Sequence, residues 1–255
     1  CWKVSVANGG HVPFAVRLSL NQSPEGAYLV VRSWPDLRET PSYSIAEAAR
    51  YLGVSASTLR AWMLGQEGFR AVIDIADPKS KTMSFVNLVE AYVLAGIRRR
   101  HGVSLPKTRA AIEYVREQLE VARPLADEQF ETNGVDLFVR RLGSLLNVSR
   151  NGQQEMAEIM RQYLRRIDRD PSGVPIKLYP LTRPPSQEDQ PKLVVIDPRL
   201  SFGRPVLSGS GVPTAVLAER FKAGESIESL AADYGLEADA VLEAIRCELN
   251  TRQAA

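Results

Sequence analysis

The side chains that most often carry enzyme chemistry are scarce in this chain. Two histidines, His11 and His101, and two cysteines, Cys1 and Cys247, are spread through 255 residues. That is too little for a disulfide framework, a zinc site or histidine-based acid–base catalysis. Gly203-Arg204-Pro205 and Gly209-Ser210-Gly211 are not followed by Lys-Ser or Lys-Thr, so neither can cradle phosphates as a nucleotide-binding loop does. Carboxylates scatter over helix faces, and no cofactor is expected. What remains is a run of hydroxyls and cations: Ser55, Ser57, Thr58 and Arg60 with no acid among them, then Lys79, Lys81, Arg98, Arg99 and Arg100. Hydroxyls and a guanidinium at the start of a helix suit phosphate oxygens and base edges. The blander reading of the same cations is a solvated helix face.

Charge supports the first reading only when it is resolved along the chain. The net charge is +2, from 32 basic and 30 acidic residues, which by itself argues neither for a nucleic-acid-coating protein nor for an acidic tail. Pro41 to Arg123 hold 12 basic and 8 acidic residues, whereas Lys192 onward holds 7 and 9. The chain is 44% hydrophobic and long enough for one real core or two smaller ones. Its longest apolar patch, Val86 to Ile97, carries Asn87 and Glu90 and is too short to span a bilayer. A cytoplasmic protein without a membrane partner is expected. The first forty residues lack a signal peptide's apolar segment and cleavage site, and the start at Cys1 is expected to be a clipped or mis-started one.

These residues need elements to position them. Cys1 to Pro41 reads as an arm, disordered or a weak hairpin built from Phe14–Leu18 and Tyr28–Val31. Ser44 with Glu47 three residues on forms a capping box that starts a helix over Ile45 to Leu52. Gly53 permits its left-handed end, and Ser55 caps a second helix through about Leu64, which makes a helix-turn-helix. Ala71–Ile75, Asp77–Lys81 and Thr82–Phe85 read as strand, turn and strand, a wing. Helices follow over Phe85–His101 and Leu105–Leu119. Asp136–Arg140 and Leu145–Ser149 flank Gly143-Ser144 and read as a hairpin, before a helix from Gln153 to Ile167 and a strand over Ile176–Leu181. Thr182 to Lys192 is rich in Pro, Gln and charge and reads as a linker. A strand over Leu193–Ile196, an irregular Pro/Gly stretch over Asp197–Pro213 and helices over about 214–222, 227–234 and 238–249 complete the chain.

The string Tyr43-Ser44-Ile45-Ala46-Glu47-Ala48-Ala49-Arg50-Tyr51-Leu52-Gly53-Val54-Ser55-Ala56-Ser57-Thr58-Leu59-Arg60-Ala61-Trp62 resembles the DNA-binding head of the MerR family. Phe85–Glu90 and Ile97–Leu105 are similar to that family's helices after the wing, so the resemblance covers Tyr43 to Leu119. Trp62 stands where the family usually has an aromatic pair. There is no long dimerising coiled coil and no cysteine-rich effector site, which speaks against a metal or drug sensor. The resemblance implies a winged helix-turn-helix on operator DNA, as a homodimer across two half-sites. Its DNA-binding residues would be Ser55, Ser57, Thr58, Arg60, Trp62, Lys79, Lys81, Arg98 and Arg99.

Asp197-Pro198-Arg199-Leu200-Ser201-Phe202-Gly203-Arg204-Pro205-Val206-Leu207 continues to Gly211-Val212-Pro213. It resembles a widespread small antitoxin-like domain of unknown function with the pattern D-P-x-x-x-x-G-x-P, over about Leu193 to Leu249. Ser210-Gly211 stands where that family has Thr-Arg. The middle segment, Asp136 to Leu181, looks like the insert of longer members that carry a MerR-like head. The resemblance implies a VapB-like antitoxin of a type II toxin–antitoxin system, whose usual partner is a PIN-like ribonuclease. Arg199, Phe202, Arg204, Pro205 and Val206 would form the partner-binding segment, its arginines pairing with carboxylates of a metal-dependent nuclease. Glu237, Asp239, Glu243 and Glu248 against Arg246 alone turn the last helices away from DNA, toward packing, dimerisation or partner contact.

The expected fold class is mainly α with small β elements. Residues 1–41 form an arm, 42–123 a winged helix-turn-helix, 124–181 an α+β middle segment with a central hairpin plus helix, 182–192 a linker and 193–250 a helical antitoxin-like domain. The expected function is a non-enzymatic antitoxin that binds operator DNA and neutralises a PIN-like ribonuclease. The alternative is a stand-alone MerR-like transcriptional regulator whose C-terminal half dimerises or senses a ligand.

Overall fold

Helix starts in this sequence are written as polar caps, and the molecule uses them. The computed structural model describes residues 16–23, 26–33, 36–101, 103–183 and 190–250. Ser44 Oγ accepts from the Glu47 amide at 3.1 Å and starts α1 (Ile45–Leu52). Gly53, at φ 60°, ends it. Ser55 Oγ accepts from the Thr58 amide at 3.1 Å and starts α2 (Ala56–Leu64), so each hydroxyl satisfies one of the amides that a helix leaves unpaired at its first turn.

In a unit of its own, β1 (Val16–Ser23) pairs antiparallel with β2 (Gly26–Ser33), with Val16 opposite Ser33 and Ser23 opposite Gly26. Of the two expectations for the arm, this segment takes the hairpin. Residues 1–15, among them Phe14 and Ala15, lie outside the described residues.

The second unit begins at Leu37. A two-residue strand, β3 (Tyr43–Ser44), leads into α1 and pairs antiparallel with β4 (Thr82–Met83). The wing differs from the expectation. Ala71–Ile75 is not a strand, because the Val72 and Ile73 amides donate to the Trp62 carbonyl and fold this stretch onto the end of α2. A single bridge, Asp77 with Thr82, closes the turn. The helices α3 (Phe85–His101) and α4 (Leu105–Leu119) follow.

α3 runs through the middle of the main core: Phe85 to Ile97 carry buried apolar side chains almost continuously, packed against α1 and against the middle segment. The hairpin expected at Asp136–Ser149 is absent. That stretch is a helix, α5 (Val135–Leu146), entered through a π-helical turn over Phe130–Gly134. Val135, Phe138, Val139 and Leu142 repeat at helical spacing on its buried face. Gly143 lies inside the helix, where a Cβ would come within 2.5 Å of the Gln153 side chain. It is a point of close helix approach and not a turn. Gln153 belongs to α6 (Arg150–Leu164), which stops short of the expected Ile167.

The hairpin of the middle segment comes later, as β5 (Ile167–Arg169) and β6 (Pro175–Leu178). Buried Arg166 then donates to four carbonyls, those of Tyr179, Pro180, Gln190 and Pro191. The strap expected to be a plain linker is therefore fastened at both sides of residues 184–189, which lie outside the described residues.

Beyond it, β7 (Val194–Val195) pairs antiparallel with β8 (Val206–Leu207). The helices α7 (Thr214–Lys222), α8 (Ile227–Tyr234) and α9 (Ala238–Asn250) build a second, smaller core around Leu217, Leu230, Val241 and Ile245. Buried Glu243 on α9 accepts from Thr182 Oγ1 at 2.5 Å and Arg183 Nε at 2.7 Å. Burial pushes that carboxyl up, but these hydrogen bonds and Arg246 hold it below the ordinary range. The class is therefore mostly helical with small antiparallel sheets and a helix-turn-helix near the N-terminal side. Among the described residues, no helix is long and apolar enough to cross a membrane.

Candidate nucleic-acid interface

α2 has two faces of opposite character. Leu59, Trp62 and Met63, at i, i+3 and i+4, are buried, and Ala56, Ser57 and Arg60 are exposed on the other side. Ser57 Oγ lies 2.9 Å from Ser55 Oγ, and Ser55 Oγ also bonds Thr58 Oγ1 at 2.8 Å. Ser55 and Thr58 are half-buried in the cap, whereas Ser57, whose hydroxyl also meets Ser55, and Arg60 are the exposed polar side chains that α2 offers outward. A helix is about 10–12 Å across with its side chains, which a DNA major groove about 12 Å wide admits.

Trp62 is corrected by the structure: at 1% exposure it is a core side chain and cannot touch DNA. Arg98 is drawn inward with it. Its guanidinium sits 5.6 Å from the Trp62 ring centroid and its Nε donates to the Val103 carbonyl at 3.4 Å, so the residue braces α3 against α2. The side chains of Arg99 and Arg100 lie outside the described residues.

Lys79 and Lys81 are exposed on the turn after α2. Asp77 shapes that turn: its carboxylate accepts from Ser80 Oγ at 2.7 Å and from the Lys79 and Ser80 amides at 2.9 and 3.3 Å, which holds its carboxyl below the usual range. Asn87, fully buried on α3, fixes the preceding stretch. It accepts from the Ala76 and Ser84 amides and donates to the Asp74 carbonyl at 2.9 Å and to Glu90 at 3.1 Å. Sequence reasoning passed over this role, although a lone amide in the apolar run Phe85–Val89 is its signal. It also passed over exposed Arg70, six residues beyond α2, whose carbonyl accepts from Arg109 of α4.

The C-terminal motif is arranged differently from the expectation. Pro205 and Val206 are buried, and the Pro205 carbonyl accepts from the Thr214 amide and hydroxyl, so neither presents a surface to a partner. Arg199 is turned onto Asp197, with Nε to Oδ1 at 3.0 Å and Nη2 to Oδ2 at 2.7 Å. Burial pushes the Asp197 carboxyl up, and Arg199 holds it below the ordinary range. Arg204 Nε lies 2.6 Å from Glu47 Oε1 on α1, and Nη1 donates to the Phe202 carbonyl at 3.0 Å. Phe202, in contrast, is 90% exposed, with Leu200 at 41% beside it. Among the described residues, no group of three or more His, Cys, Asp or Glu could hold a metal ion.

Known proteins share both halves of this arrangement. A family described as "Putative DNA-binding HTH domain" matches residues 41–112, and one described as "Protein of unknown function (DUF433)" matches residues 194–246. The chain is 31% identical over 231 residues to "Putative antitoxin VapB45" of Mycobacterium tuberculosis, across 81% of this chain and 93% of that protein. It is 27% identical to "Uncharacterized protein Rv2308" of the same organism, across 80% of this chain and 88% of that one. The crystal structure of Rv2018 from Mycobacterium tuberculosis superposes with a TM-score of 0.59 at 26% identity, over 81% of this chain and 98% of that one. At 31% identity across 81% of its length, the chain belongs to the family of VapB45.

Proposed function

We propose that the chain is a DNA-binding antitoxin of a type II toxin–antitoxin system, without enzyme activity of its own. In this reading α2 enters the major groove of operator DNA in the manner of a MerR-like head. Ser57 and Arg60 reach base edges and phosphates, and Lys79 and Lys81 contact the flanking backbone. Two copies place two α2 helices on two half-sites. The observation that carries the DNA reading is the sorting of α2 into a buried apolar face and an exposed face whose only charge is Arg60, in a region matched by a DNA-binding family.

The partner in this reading is a PIN-like ribonuclease, and the partner-binding element narrows to the Leu200–Phe202 tip. Arg199 and Arg204 have acids of their own, so recognition begins with an aromatic anchor entering an apolar pocket, the kind of contact that dominates binding energies at interfaces.

Two measurements on the full chain test this. Incubation with a randomised duplex pool and sequencing of the retained fraction should return a site with two half-sites. Co-expression with the product of the adjacent reading frame should yield a stable complex that lacks ribonuclease activity. Retention of no duplex overturns the DNA reading, and absence of a complex overturns the antitoxin reading.

A further inference from the structure

The tip of the C-terminal motif touches the DNA-binding head, and it does so with a backbone that is not at rest. Ser201, Phe202 and Gly203 have φ of 45°, 54° and 77°, three consecutive residues in the left-handed region. For Ser201 and Phe202 this conformation costs free energy that surrounding contacts must offset. The loop supplies some of them itself, through the Gly203 amide on the Leu200 carbonyl at 2.8 Å and the Arg204 amide on the Ser201 carbonyl at 3.0 Å, and the head supplies the others. The buried Tyr43 hydroxyl donates to the Gly203 carbonyl at 3.1 Å, and a Cβ on Gly203 would fall 2.1 Å from that hydroxyl. Arg204 pairs with Glu47 at 2.6 Å, and its guanidinium lies 5.9 Å from the Tyr43 ring centroid. Tyr43 lies in β3, which pairs with the wing strand β4, and Glu47 is in the first turn of α1. Phe202 projects outward from the centre of this arrangement.

We propose that the Ser201–Arg204 loop couples the Phe202 surface to the DNA-binding head, through the Gly203–Tyr43 and Arg204–Glu47 contacts. The loop has two arrangements: a strained one held by the head, and a relaxed one in which Phe202 leaves the left-handed region. Relaxation swings the Gly203 carbonyl off Tyr43 and Arg204 off Glu47. A macromolecule that favours either arrangement at one surface therefore changes binding at the other, and by linkage the effect runs equally in both directions. The inference rests on the DNA-binding reading, because the head is coupled to something only if it binds.

The test places 4-fluorophenylalanine at position 202 of the full chain and follows its fluorine resonance as a duplex recovered from the randomised pool is added. The resonance is expected to move on saturation. In the double variant Glu47→Gln/Arg204→Met the duplex should still bind, within about tenfold of wild type, while the resonance moves by no more than half as far. Tyr43→Phe removes only the hydroxyl that holds Gly203 and should reduce the movement by at least half. The same label at Phe221, on the exposed side of α7, should not move. A resonance at 202 that is unmoved with the duplex bound overturns the coupling and leaves the DNA reading intact. Equal movement in the double variant, or at 221, also overturns it. Failure of the wild-type chain to bind any duplex overturns both.

Discussion

Arg60 and Trp62 lie two residues apart on one helix and do opposite things. The indole is sealed beneath α2 with the Arg98 guanidinium over its ring, and the Arg60 side chain stands in solvent. Trp62→Phe keeps an aromatic ring in the core and should leave DNA affinity within about twofold, at a stability cost on the order of 1–2 kcal/mol read from the denaturant midpoint. A large loss of DNA affinity in a folded Trp62→Phe protein would return the indole to the interface. Phe202 is the converse case. At 90% exposure it packs against little, so Phe202→Ala should leave the melting temperature unchanged and weaken partner binding by about 2 kcal/mol or more, measured by calorimetry on the complex. The burial of Trp62 is legible in the sequence, because Leu59, Trp62 and Met63 form an apolar stripe at helical spacing. Arg204 was not legible, because the acid that claims it lies on α1 and only the tertiary fold brings the two together.

At the scale of elements, local chemistry was easy to read and long-range packing was not. Ser44, Ser55 and Gly53 act within a few residues of themselves, and the ends of α1 and α2 follow from them. The stretch from Val135 to Leu146 was misread because Gly143-Ser144 has the composition of a turn. Its meaning is set by Gln153 on a neighbouring helix, which no local rule reports. The wing was misread for a similar reason: Val72 and Ile73 have strand-forming side chains, but the Trp62 carbonyl captures their amides. The turn that carries Lys79 and Lys81 is held instead by Asn87. Asn87→Ala leaves the Ala76 amide and the Asp74 carbonyl without their partner. It should cost on the order of 2–3 kcal/mol in a chemical-denaturation experiment and raise amide exchange across residues 74–82. Unchanged exchange there would show that the turn holds its shape without this side chain.

At the scale of the whole molecule, the nearly balanced charge of the chain conceals a basic head and a mildly acidic C-terminal part, and two cores joined through buried polar clasps at Arg166 and Glu243. One buried acid within the main core makes its stability depend on pH. Glu90 is 4% exposed, and burial pushes it up to about 7 even though Arg123 and Asn87 pull it down. Its folded value lies above the ordinary 4.5, so between those two values the folded chain holds a proton that the unfolded chain has lost. The contribution is therefore complete below about pH 4.5 and disappears as the pH rises through 7. Glu90→Gln should flatten that part of the stability profile and stabilise the protein at pH 8 by on the order of 2 kcal/mol. A wild-type profile with no decline between pH 5 and 8 attributable to Glu90, measured as the difference from the Gln variant, would contradict this.

If the exposed face of α2 binds DNA, Arg60 contributes both affinity and salt dependence. The most direct measurement is the affinity of the wild type and of Arg60→Ala for one recovered duplex across a series of salt concentrations. For the wild type, log K should fall linearly with log salt concentration. Arg60→Ala should weaken binding by about 1–3 kcal/mol and reduce the slope by up to about one unit. Equal affinity and equal slope in the two proteins would contradict that reading and move the interface to another face of the head.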